Sequence, residues 1–355
     1  MRGSTLANLR SVTKLTDQAG RFTRPEVTKP SGSALKLKAP FPYFGGKSMI
    51  AGAIWQRLGD VDNYVEPFMG SLAVLLGRPA EHTHTTETVN DVDHYLVNFW
   101  RALQADPDGV AKWADWLPNE CDLTARHIWL VNEGRERIAH LEADPFAYDV
   151  QVAGWWVWGI ALWIGSGWCS GKGPWISDGR RLIRKTAAAR GVNRQLIHLG
   201  NAGRGVNNFA TSRNLTAYMH FLADRLRHVR VCCGDWTRVV TTGALSHGKT
   251  VGVLLDPPYA ISTGREVVYN HESDASAAVR EWAIANGENP RYRIALCGYD
   301  GEHDMPPTWE VVAWRARSAF KSSNVNRHRE RVWFSPHCLK PDTFGVANEP
   351  LELWA

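Results

Sequence analysis

Five apolar residues, Val251-Gly252-Val253-Leu254-Leu255, run directly into Asp256-Pro257-Pro258-Tyr259. A short apolar run bounded by a turn signal predicts a buried, parallel strand, which the first proline stops by removing a ladder donor. The tetrapeptide then lies at the carboxyl end of a strand, where open α/β sheets bind ligands. Val229–Cys233 alternates weakly and ends at Gly234-Asp235-Trp236, and further strands are predicted at Tyr292–Gly298, Glu310–Trp314 and Arg331–Phe334. After Tyr64-Val65-Glu66-Pro67-Phe68-Met69, Gly70 supplies a bend into a helix expected to begin near Leu72. From Asp91 onward, Val92, Tyr95, Leu96, Phe99, Trp100 and Leu103 fall on one helical face, which makes Asp91 the expected N-cap. The apolar stretch Val152 to Trp168, with Trp155, Trp156, Trp158 and Trp163, predicts a buried helix too short and glycine-broken to span a membrane. A last helix is expected near Ala275–Ala285.

Composition narrows the class. The chain has 355 residues and a formal charge of +5, a mild basicity that permits a nucleic-acid partner without requiring one. Residues 1–38 carry Arg2, Arg10, Lys14, Arg21, Arg24, Lys29, Lys36 and Lys38 against Asp17 and Glu26, the pattern of a basic, disordered arm. Cys121, Cys169, Cys232, Cys233, Cys297 and Cys338 show neither C-x-x-C pairing nor zinc-type spacing with histidine. Reduced thiols, no metal and a cytoplasmic location, without membrane or signal segment, are expected.

Asp256–Tyr259 suits methyl transfer to an exocyclic amine, whose ring-delocalised lone pair makes it a poor nucleophile. The Asp256 carboxylate and the Pro257 carbonyl can accept hydrogen bonds from such an amine, with Pro257 and Pro258 stiffening the loop. Tyr259 offers a face on which an unstacked base could lie, a contact of roughly 1–3 kcal/mol. The plainer reading is an Asp-Pro turn closing a strand, with Tyr259 as a core aromatic.

Three further segments bear on that choice: Phe41-Pro42-Tyr43-Phe44-Gly45-Gly46-Lys47, Tyr64 to Ser71, and Val89-Asn90-Asp91-Val92-Asp93. With Asp256–Tyr259 and in this order, they resemble the motifs of the Dam-like, alpha-group adenine-N6 DNA methyltransferases, over residues 40–100 and 228–340, in a phage or prophage type. The resemblance implies a Rossmann-like α/β fold with a mixed, mostly parallel seven-stranded sheet. It implies S-adenosylmethionine held by Tyr43, Lys47, Glu66, Pro67, Phe68, Gly70, Asp91, Asp235, Trp236 and Asp256. Within that set, Lys47 would pair with the cofactor carboxylate, Asp91 with its ribose hydroxyls, and Asp235 and Trp236 with its adenine. The family usually has a second glycine two positions after Gly70, where this chain has Leu72.

The implied layout places the catalytic domain at 39–100 and 228–345, with a helical target-recognition subdomain inserted at 101–227. That insert carries a glycine-rich loop, Gly165 to Trp175, and a dense run of cations. Lys172, Arg180, Arg181, Arg184, Lys185 and Arg204 are the expected contacts to double-stranded DNA. Arg265 and Asn270 join them from Thr263–Asp274, expected to form a lid. A monomer that methylates a flipped-out adenine is the favoured reading. Its rivals are a cytosine-N4 or RNA methyltransferase of the same fold, and a catalytically silent DNA-binding protein.

Overall fold

The computed structural model describes residues 37–43, 45–82, 86–163, 168–169, 175–177, 182–184, 215–259, 275–315 and 328–341. Along the chain these form α1 (Ala51–Leu58), β1 (Asn63–Glu66), the single turn α2 (Ala73–Leu76), β2 (Thr86–Asp91), α3 (His94–Ala105) and α4 (Pro107–Ala114). Helix α5 (Glu120–Trp129) continues through a π-helical turn (Leu130–Gly134) into α6 (Arg135–Arg137), followed by α7 (Val150–Leu162). Strands β3 (Trp175–Ser177) and β4 (Leu182–Arg184) pair as an antiparallel hairpin. Then come α8 (Leu215–Leu226), β5 (Val229–Cys233), β6 (Val251–Leu255), α9 (Ala275–Gly287), β7 (Tyr292–Tyr299), β8 (Glu310–Ala313) and β9 (Glu330–Phe334).

The main sheet is seven-stranded in the order β5-β2-β1-β6-β7-β9-β8. The first five strands run parallel, whereas β9 and β8 close the edge as an antiparallel pair. From β1 the chain winds outward through β2 to β5 and then returns to lay β6 on the other side of β1. The switch point therefore falls between β1 and β6, and the crevice beyond their carboxyl ends is where such sheets take ligands.

Side-chain alternation gives the sheet two buried faces. Tyr64, Leu254, Ala295 and Cys297 point to the cluster that includes α1, α3, α4, α7 and α8, while Val65, Val253, Leu255, Ile294 and Leu296 point to the one under α9. That double burial explains why β6 reads as an unbroken apolar run.

Helix α7 is buried along most of its length, as its tryptophan-rich sequence predicts. Gly154 lets it close against Trp113 of α4, because a Cβ there would collide with that residue. The described helices of 101–227 have no core of their own: Trp156, Trp158, Val110 and Met219 belong to the cluster that holds Phe41, Tyr64 and Val89. No described helix is long and apolar enough to cross a membrane, and all six cysteines are free thiols.

Two local expectations need correction. The N-cap of α3 is Asp93, whose carboxylate accepts from the Tyr95 and Leu96 amides, and Asp91 remains the last residue of β2. The apolar face expected from the sequence is present, but the strand extends to Asp91 and the helix starts after it. The helix expected near Leu72 is four residues long, too short for an appreciable dipole at its amino end. Leu72 itself is fully buried with φ of 54°, a left-handed backbone that bulky residues rarely adopt.

Candidate active site

At the carboxyl edge of the sheet a cleft opens to solvent, where parallel α/β sheets bind ligands. Its lining brings together Tyr43, Lys47, Glu66, Phe68, Gly70, Asp91, Asp256 and Pro258, which lie far apart in sequence. Tyr43 and Gly45 to Lys47 lie ahead of α1, Glu66 ends β1, Asp91 ends β2 and Asp256 follows β6.

The wall beneath β1 and β2 is made largely of backbone. Gly70 has φ of 44°, and a Cβ there would come within 2.8 Å of the Tyr43 ring. The Gly70 amide donates to Asp91 Oδ2 at 3.2 Å, and the Asp93 amide donates to Asp91 Oδ1 at 3.0 Å. Behind them the buried Asn90 side chain donates to the Pro67 carbonyl at 3.1 Å and to the Gly234 carbonyl at 2.9 Å. One amide thus ties the turn after β1 to the loop after β5. Pro67 contributes that carbonyl and is not part of the lining.

Trp236 stands behind Phe68, with the rings nearly parallel and their centroids 6.2 Å apart. Asp235 caps the following turn by accepting from the Thr237 amide at 2.9 Å. Neither Asp235 nor Trp236 lines the cleft directly.

The opposite wall is built from charge. Lys47 is buried, and its Nζ donates to the Gly45 carbonyl at 2.9 Å and pairs with Asp256 Oδ1 at 2.7 Å. Burial alone would lower the lysine pKa, but Asp256, Cys297 and Glu330 outweigh it and hold the ammonium above its usual range. For Asp256 burial raises the pKa, and Lys47 acts against it. Burial also pushes Glu66 up to about 8, despite a hydrogen bond from the Tyr64 hydroxyl at 2.9 Å. Asp91 is raised to about 7 by burial, partly offset by the backbone amides it accepts from. Acids outnumber cations in the cleft, an arrangement that suits a positively charged ligand.

Tyr259 is a packed aromatic, the plainer of its two sequence readings: the ring is buried, lies edge-on to Tyr299 with centroids 4.5 Å apart, and has the Lys47 ammonium 5.3 Å from its centre. Its hydroxyl donates to Glu330 Oε2 at 2.8 Å. A buried phenol needs a polar partner, and β9 provides one. Pro257 is buried and Pro258 half-buried on the cleft wall.

Two of these residues, Asn90 and Glu330, escaped the sequence reading. Asn90 lay inside a noted motif, while nothing local marks Glu330. Of the expected DNA contacts, Arg184 falls in β4. Lys172, Arg180, Arg181, Lys185, Arg204, Arg265 and Asn270 lie outside the described residues, as do the lid segment and residues 1–36. Away from the cleft, His94, Glu142 and Cys233 bring donor atoms within 4.8 Å of one another. There the Arg238 guanidinium already bonds the Cys233 carbonyl at 2.7 Å, so a cation stands beside any metal that would enter.

Residues 43–124 match the family of D12 class N6 adenine-specific DNA methyltransferases. Over that stretch the chain is similar to the Dam-like adenine-N6 DNA methyltransferases. No curated protein matches it. The matched stretch holds Tyr43, Lys47, Glu66, Phe68, Gly70 and Asp91, but ends well before Asp256. It is the fold that brings the two stretches together, at the Lys47–Asp256 contact.

Proposed function

We propose that the chain binds S-adenosylmethionine along the β1–β2 side of the cleft and methylates the N6 amine of an adenine flipped out of double-stranded DNA. The observation that carries this reading is the 2.7 Å Lys47–Asp256 pair, which joins the family-matched segment to the strand-end tetrapeptide within one cleft. The donor set fits the cofactor: a glycine turn allows close backbone approach, Asp91 retains lone pairs for ribose hydroxyls, and Glu66 and Asp91 suit a ligand carrying ammonium and sulfonium charges. Phe68, backed by Trp236, offers an aromatic face for its adenine, and Lys47 has a third ammonium proton for its carboxylate. When bound, the cofactor supplies an electrophilic methyl group.

The protein's part is placement. Burial raises the Asp256 pKa and Lys47 opposes the rise, favouring the carboxylate form that accepts hydrogen bonds. Asp256 and the Pro257 carbonyl accept from the target amine and turn its lone pair towards the methyl donor. The base enters beside Pro258, having left its stack at a cost of a few kcal/mol. The cations of 165–204 and the 263–274 segment are the proposed DNA surface.

Protein, duplex DNA and labelled S-adenosylmethionine should yield N6-methyladenine. Asp256→Ala should lower the rate by about 10²–10³-fold. Full activity in that variant would sink the assigned mechanism, and nucleoside analysis showing methylcytosine would move the chain to a different amine.

A further inference from the structure

Four acids converge on the carboxyl edge of the sheet, and three of them end parallel strands or directly follow one: Glu66, Asp91 and Asp256. The fourth, Glu330, arrives differently. Strand β9 runs antiparallel to β7, with Tyr299 opposite Glu330, so its first residue reaches the edge where β6 and β7 finish. Glu330 is 5 % exposed and is not part of the cleft lining.

Placing a second carboxylate near Asp256 is costly, and the electrostatics register this: burial raises the Glu330 pKa, Lys47 opposes the rise and Asp256 adds to it. Stability alone gives no reason for an acid here, since buried charges are costly even when paired. What Glu330 does touch is Tyr259, through the 2.8 Å hydrogen bond from the phenol. That ring in turn lies 5.3 Å from the Lys47 ammonium, which holds Asp256. The connection therefore runs from Glu330 through Tyr259 to Lys47 and Asp256.

We propose that Glu330 is a positioning residue for methyl transfer, fixing the Tyr259 ring through its hydroxyl so that the ring stays against the Lys47 ammonium that holds Asp256. Tyr259 thereby acts as a brace beneath the pocket. This rests on the assignment of Asp256 as the amine acceptor.

Tyr259→Phe keeps the aromatic face and loses only the hydroxyl that Glu330 accepts from. As a brace, Tyr259→Phe should lower kcat about 10- to 100-fold, the scale of a small misplacement at a reacting centre, with the KM for S-adenosylmethionine changed less than about 2-fold. Glu330→Leu should lower kcat similarly and add little in the Tyr259→Phe background, since the two act through one bond. Glu330→Gln, which keeps the acceptor oxygen, should recover most of the rate. Full activity in Tyr259→Phe overturns the inference by itself, whether or not Glu330→Leu folds. So does a Glu330→Leu loss that is undiminished when Tyr259 is already Phe. If the unaltered chain makes no methyladenine, the functional assignment falls first and takes this inference with it.

Discussion

The two walls of the cleft are made of different material. On the β1–β2 side, amides and carbonyls do the holding: Gly70 and Asp93 donate to Asp91, and Asn90 clasps Pro67 and Gly234. On the β6–β9 side, side-chain charges do it, through Lys47, Asp256, Tyr259 and Glu330. Backbone contacts survive a change of side chain, which is how Leu72 can occupy a left-handed position where the family usually has glycine. A group of buried charges has no such tolerance, because removing one member leaves the others uncompensated.

The sharpest way to break the comparison is Lys47→Met. It should destabilise the fold towards the lower end of about 3–5 kcal/mol, since Asp256 retains some solvent, and abolish methylation. Chemical denaturation and the methyladenine assay measure the two effects, and a stable, active variant would show that the charged wall is not a unit.

Leu72 tests the backbone wall more gently. Alanine and glycine both remove its buried side chain, at about 2–5 kcal/mol. Only glycine relieves the left-handed backbone, worth roughly 1–2 kcal/mol, against about 0.5–1 kcal/mol of extra chain entropy. Leu72→Gly should therefore be no less stable than Leu72→Ala, reversing the usual order, and thermal melts would decide it.

The smallest effect concerns pH. Glu66 has a folded pKa of about 8 against 4.5 unperturbed. A raised pKa means the folded state binds the extra proton, so this contribution is complete below about pH 4.5 and is lost as pH rises through about 8. Glu66→Gln should flatten the fall in melting temperature across that window, and S-adenosylmethionine should flatten it in the unaltered chain by favouring the ionised form.

Much of the charged wall is legible in the sequence. The apolar run of β6 and the two prolines after it mark a strand end, and Lys47 follows a glycine pair in a recognisable segment. The same reading put the α3 cap at Asp91 because helical periodicity cannot tell a strand's last acid from the next helix's first. Asp93, two residues on, fits the pattern equally well. Glu330 was out of reach for another reason: it meets Tyr259 across 71 positions, through an antiparallel closure that no local pattern encodes.

Asn90 sets the spacing of the cleft from behind, beyond the reach of any ligand. Because one amide ties the turn after β1 to the loop after β5, the cofactor should meet a preformed slot. The heat-capacity change on binding should then scale with the apolar surface the small molecule covers, and stay well short of the drop seen when a loop folds around its ligand.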